Sequence, residues 1–255
     1  MAALTLLGTG AALSDAHREN TYLVVRDSKS SFLVDCAGSP TQRLLKVGVS
    51  LDSLEQIVLT HHHPDHIYGL PVLLLDLWLA GRKNVLHLYG LDETLRAVRG
   101  MMKAFQWERW QAQGFFPVEF HRVPRKENAT LFQSPQFSVV STPGKHLLPS
   151  IAVRVQANGS GRSFTYSSDT MATQTVADLA SGTDLFFHEA TTVRRALPGH
   201  SSARQAGEQA RKAGVKKLVL VHLPPDIGAK ELESAAAAKF AGPIVVGRDF
   251  MEFQF

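Results

Sequence analysis

Residues 57 to 70, "IVLTHHHPDHIYGL", constrain this chain more than any other stretch. A β-rich run ends in four histidines and one aspartate packed into six positions, and an apolar run follows. In extended backbone alternate side chains share a side, so His61 and His63 point together while His62 faces away. Pro64 suits the first turn of a helix, which places Asp65 and His66 at a helix start beside the strand end. Imidazole and carboxylate donors in the pattern H-x-H-x-D-H suit zinc, iron or manganese. Any fold that carries this loop must bring a strand end and a helix start to one point, with His62 outside the donor set.

The surrounding runs predict that fold. "LTLLGTG", "TYLVVRD" and "SFLVDCAG" are short β-rich runs punctuated by turn residues; "SPTQRLLKVGV" has helical spacing behind a serine cap, and "LEQIVLTH" returns to a strand. Beyond the histidine loop, "IYGLPVLLLDLWLAG" reads as a buried helix, "NVLHLYG" as a strand and "DETLRAVRGMMKAF" as an amphipathic helix. The second half is built alike, with strands "EFHRV", "FSVVSTPG", "SIAVRVQA" and "SFTYSSDT", then "DLFFHEAT", "KLVLVHL" and "PIVVGRD", and with the helices "TVADLASG", "SARQAGEQARKAG" and "AKELESAAAAKF" between the last of them. Strands outnumber helices, and the helices do not strictly alternate with them. The expected class is α/β with two mixed sheets under outer helices, in one domain spanning 1–255.

Composition narrows the function classes. With 255 residues, 44% hydrophobic and 20% charged, the chain can bury one or two sizeable cores, which excludes disordered and fibrous classes. No apolar run approaches the roughly 20 residues of a membrane span, and the opening "MAALTLLGTGAALSDAHREN" lacks a basic leader and cleavage site, so a cytoplasmic location is expected. The one cysteine, Cys36, follows "FLVD" and is expected to be buried. The net charge of +4 leans towards anionic partners, but the basic residues come in small groups around Arg122, Arg194 and Arg211.

"THHHPDH" resembles the signature of the metallo-β-lactamase superfamily. "LLGTGAALSDAHREN", "HHPDHIYGLPVLL", "FFHEAT", "GHSSARQAGEQA" and "KLVLVHLPP" are similar to the motifs of its ribonuclease Z-like (tRNase Z/arylsulfatase-type) branch, and together they span nearly the whole chain. The resemblance implies a four-layer αββα sandwich with a two-metal site, two Zn2+ with manganese or iron as substitutes. His61, His63 and His146 would hold one ion, Asp65, His66 and His222 the other, and Asp169 would bridge them. Asp65 would also orient or deprotonate the nucleophile. His200 would act as general acid, held by Glu189. His17 and His188 are expected in supporting roles, and His87 and His121 as structural residues.

The implied activity is hydrolysis of a phosphodiester, in RNA or a small molecule. The alternatives are another ester, as in arylsulfatases or lactonases, or iron-dependent redox chemistry. One departure bears on the substrate. Bacterial ribonuclease Z carries a long tRNA-gripping arm between the motifs that hold His146 and Asp169, and here only 23 residues separate them. Weak RNA binding is therefore expected, with recognition falling on loops near the site. The aromatic stretch 105–117, "FQWERWQAQGFFP", is one candidate, either as pocket wall, as dimer contact or as core. The branch often dimerises, so a homodimer is also expected.

Overall fold

The computed structural model describes every residue except Met1 and Ser14. Its first sheet takes β1 (Ala3–Gly8), β2 (Tyr22–Arg26), β3 (Ser31–Val34), β4 (Leu54–Leu59), β5 (Leu86–Gly90) and β6 (Val118–Arg122) in chain order. The second takes β7 (Ala129–Gln133), β8 (Phe137–Pro143), β9 (Ile151–Ala157), β10 (Ser163–Tyr166), β11 (Leu185–Glu189), β12 (Leu218–Val221) and β13 (Ile244–Val246). The last strand, β14 (Glu252–Gln254), returns to pair with β1.

Both sheets change character at the same place. Neighbours are antiparallel up to β3 and β10, and parallel from there to β6 and β13. A parallel step needs a crossover, and each one carries a helix. In the first half these are α1 (Pro40–Lys46), then α2 (Pro64–Ile67) with α3 (Leu70–Leu79), then α4 (Asp92–Ala104) with α5 (Trp107–Gln111). In the second half they are α6 (Gln174–Leu179), α7 (Ala203–Ala213) and α8 (Ala229–Ala237).

Helices on the outer faces and a core between the sheets bury most strands on both sides. Leu23 and Val25 of β2 enter the core between the sheets, whereas Tyr22 and Val24 face the α1–α5 layer. A strand in that position needs no polar alternation, which is why β12 reads "LVLV". Between the sheets, Phe32 meets Phe132 and Phe137 edge to face, with centroids 5.3 and 5.4 Å apart. Truncating such a buried ring to alanine typically costs about 3–5 kcal/mol. On the other outer face, α7 and α8 cross closely at Gly207: a Cβ there would lie 2.3 Å from the Ala236 carbonyl oxygen.

These layers are the αββα sandwich expected from the sequence, with corrections in detail. The sequence reading missed β7, β14 and α5. The aromatic stretch 105–117 does not line the histidine loop. Trp107, Trp110, Phe115 and Phe116 pack into the core under the α1–α5 layer, with Trp78 stacked on Trp110 at 6.1 Å. Cys36 is fully buried, and burial pushes its thiol pKa up. Among the described residues no helix is long and apolar enough to cross a membrane.

Candidate metal centre

The histidine loop leaves β4 as extended chain and turns at Pro64, the first residue of α2. His61 and His63 share a side, with ring centroids 4.9 Å apart, and Asp65 and His66 follow in the first turn. The second sheet supplies the rest from loops at its strand ends: His146 after β8, Asp169 after β10 and His222 after β12. All seven residues named above converge. Three backbones adopt the left-handed conformation here without glycine: Asp35 at φ +62°, Ser168 at +52° and His222 at +54°. Such residues cost about 1–3 kcal/mol each, and the surrounding contacts must hold them.

Two donor clusters share Asp169. In the first, His63 Nδ1 lies 3.1 Å from His61 Nε2 and 2.9 Å from His146 Nε2, with Asp169 Oδ2 at 3.9 and 4.0 Å from the latter two. In the second, His66 Nε2 lies 3.5 Å from both Asp65 Oδ2 and Asp169 Oδ1. There His222 Nε2 lies 3.7 Å from Asp65 and 3.3 Å from Asp169. Bonds of about 2.0–2.2 Å to a tetrahedral ion place its donors roughly 3.3–3.6 Å apart, so both clusters have nearly the spacing an ion requires.

The hydrogen bonds behind the rings fix which nitrogen faces inward. His66 Nδ1 donates to Asp35 Oδ2 at 2.8 Å, and His146 Nδ1 donates to the Gly199 carbonyl at 2.7 Å. Thr60 gives its hydroxyl proton to Asp35, so the 3.1 Å contact to His61 Nδ1 is donated by the ring. Thr191 gives its proton to Glu189 and accepts from His222 Nδ1 in the same way. Each of these four rings therefore turns its Nε2 towards the centre, as outer hydrogen bonds do for metal-binding histidines. His66 Nε2, Asp169 Oδ1 and His222 Nε2 are buried and have no hydrogen-bond partner. Orphaned buried acceptors around a nitrogen and oxygen donor set fit divalent cations.

The clusters differ electrostatically. In the first, burial holds His61 well below its ordinary pKa and lowers His63 and His146 as well. In the second, burial also disfavours charge on His66 and His222, but the Asp169 carboxylate outweighs it, helped by Asp35 and Asp65, and both histidines titrate above their usual value. Outside both clusters His200 points its Nδ1 at the two Glu189 oxygens, 3.2 Å from each. Burial works against its charge, but Glu189 prevails and the pKa is raised. Glu189 is fixed by the Thr170 amide and Thr191 hydroxyl, both at 2.7 Å. His62 lies outside the clusters, as expected, and His188 is buried behind them with its Nδ1 on the Glu189 carbonyl.

Asp35, Thr60 and Thr191 support the donors and were not singled out in the sequence. Asp35 had a visible signal, an aspartate closing the hydrophobic run "SFLVD" as Asp169 closes "SFTYSSD". The centre opens into a cavity of about 640 Å³ lined by Ala12, Asn20, His63, Pro64, Asp65, Tyr68, Asp169 and His200. A cavity of about 700 Å³ elsewhere, bounded by α8 and β13, is lined mostly by apolar residues and contains none of the clustered donors.

Fold and donor geometry together define a metallo-β-lactamase-type hydrolase that depends on divalent metal. The chain belongs to the family described as anti-Pycsar protein Apyc1, whose model matches residues 2–243. It is also 30% identical to a ribonuclease Z of Mycobacterium bovis over 280 aligned residues, covering 98% of this chain and 96% of that one. Among solved structures it resembles the metallo-β-lactamase fold protein YhfI from Bacillus subtilis, with a TM-score of 0.81, 20% identity and coverage of 99% and 98%. It likewise resembles the short form of human tRNase Z, with a TM-score of 0.79, 24% identity and the same coverage. The protein is a ribonuclease Z-like metallo-hydrolase that cleaves phosphodiester bonds.

Proposed function

We propose that His61, His63 and His146 hold one zinc ion, that Asp65, His66 and His222 hold a second, and that Asp169 serves both. The orphaned inward-facing atoms of His66, Asp169 and His222 support this assignment. When bound, the two ions supply Lewis acidity, attracting phosphate oxygens and lowering the pKa of water. Asp65 lines the cavity, where its free oxygen orients the attacking water and accepts its proton. His200 stands on the cavity wall with Nδ1 tied to Glu189, so its Nε2 proton is available to the departing oxygen. Glu189 positions that ring and holds it protonated.

The substrate in this reading is a short RNA or a small phosphodiester. The observation that carries it is the compactness of the surroundings. Residues 158–162 alone connect β9 to β10, and the described cavity lining includes no lysine or arginine. Gripping a structured RNA at many phosphates requires a wide basic surface. The domain 1–255 would act in the cytoplasm as a homodimer, for which Tyr68 beside the cavity and Val72 and Leu79 on α3 offer exposed apolar side chains.

The test compares kcat/KM for pre-tRNA, a short single-stranded RNA and bis(p-nitrophenyl) phosphate at two salt concentrations, with an aryl sulfate and a lactone as further substrates. The short diesters should exceed pre-tRNA per unit enzyme. A large advantage for pre-tRNA that collapses with salt would refute the substrate assignment, and faster turnover of the sulfate or lactone would refute the ester class.

A further inference from the structure

A separate set of metal-type donors lies at the outer edge of the first sheet. His87 stands on β5, and Glu119 and His121 on β6, where His87 pairs directly with Glu119 and Tyr89 with His121. With period-two alternation, His87, Tyr89, Glu119 and His121 all share one sheet face. Tyr89 packs against the core between the sheets, so this is the inner face at its open margin. His87 also pairs with Gln56, five positions before His61 on the same strand path, which puts the two donor sets roughly 16 Å apart along the strand at about 3.3 Å per residue.

The three donor atoms converge on one point. His87 Nδ1 lies 2.9 Å from His121 Nε2 and 3.4 Å from Glu119 Oε2, and His121 Nε2 lies 3.7 Å from the same oxygen. These edges bracket the roughly 3.3–3.6 Å spacing of donors around a tetrahedral ion. The His121 ring is held by stacking on Tyr89, with centroids 4.5 Å apart and planes 15° apart. Among the described residues Glu119 has no lysine or arginine within ion-pair distance, and its side-chain partners are the two imidazoles. All three side chains are partly exposed, which leaves an approach from solvent and room for water as a fourth ligand.

We propose that His87, Glu119 and His121 form a third metal site, taking a zinc-class divalent cation through two imidazole nitrogens and one carboxylate oxygen. Its work is mechanical rather than hydrolytic. β6 is an edge strand that pairs only with β5, and directly after it the chain crosses to β7 in the other sheet. An ion bound by both strands fastens that edge at the crossing point. The donor set selects zinc, nickel or copper over magnesium and calcium, which prefer all-oxygen shells.

The test starts from zinc-loaded protein and measures bound zinc after equilibrium dialysis, together with affinity from competition against a chelating dye. Wild type should carry one equivalent more than the double variant H87A/H121A. The comparison is a difference, so it holds whatever number the main centre retains. E119Q removes one charged ligand from an exposed position and should weaken the additional site by at least the ~10- to 100-fold that even outer-shell partners contribute. Hydrolysis of bis(p-nitrophenyl) phosphate should be unchanged in E119Q. Equal zinc content in wild type and the double variant would overturn the proposal. So would wild-type affinity in E119Q, which decides the matter if the double variant fails to fold.

Discussion

Thr191 Oγ1 accepts the Nδ1 proton of His222 at 2.9 Å while it donates its own proton to Glu189 at 2.7 Å. One hydroxyl thus aims a donor of the metal centre and fixes the residue that holds His200. Thr191→Val keeps the side-chain shape and removes both bonds. It should weaken the second cluster's ion by about 10- to 100-fold, the usual effect of losing an outer-shell partner, and leave the His61, His63 and His146 cluster loaded. Metal content measured across a chelator series checks this; parallel loss of both ions would count against two separable clusters.

Loading should depend on pH in one cluster far more than in the other. His61, His63 and His146 are neutral before a cation arrives, whereas the raised pKa values of His66 and His222 keep protons on them that a cation must displace. Affinity at the second cluster should therefore fall as pH falls, with protons released on binding. Calorimetry in buffers of different ionisation enthalpy should show one proton-releasing step and one nearly silent step. Two steps with equal release would contradict this electrostatic asymmetry.

His200→Ala should leave metal content intact and lower turnover of a diester with a poor leaving group by about 10²- to 10⁴-fold, the range of general acid catalysis. The loss should shrink for a nitrophenolate leaving group, which needs little protonation. An equal loss on both substrates would mean that His200 binds phosphate without donating a proton.

The same residue sets a pH limb. His200 must be protonated to act as acid, and Glu189 raises its pKa above the ordinary 6.5, so activity persists past that value and is lost as pH rises through the elevated pKa. Glu189→Gln removes the charge and should move this limb to lower pH. The pH profile of kcat, with metal content checked at each point, reads it directly; an unmoved limb would assign the titration to another group.

Much of the centre was legible because local pattern carries it. The H-x-H-x-D-H loop follows a run of four buried positions, and the strand-helix junction at Pro64 is written in neighbouring residues. His146, Asp169 and His222 were harder, since a polar residue closing a strand is common, and the resemblance picked them out. The support shell was least visible. Thr191 matters through a contact with a residue 31 positions away, and Asp35 only because the packed sheet sets it beneath His66. Residues 105–117 show the same limit: aromatic content is plain in the sequence, but the side it packs against is decided by tertiary contacts.

Each donor cluster draws from both sheets. His61 and His63 from the first are joined by His146 and Asp169 from the second, and Asp65 and His66 by Asp169 and His222. An ion held across that seam would be a weld between two slabs that otherwise meet through greasy side chains and a few polar contacts, such as Ser168 Oγ to Thr60 Oγ1 at 2.8 Å. Under load, the loaded sandwich should part last at this end, and neither slab alone would offer either ion more than two of these ligands. A loaded centre would thus double as a checkpoint on assembly, closing only when both slabs are in place.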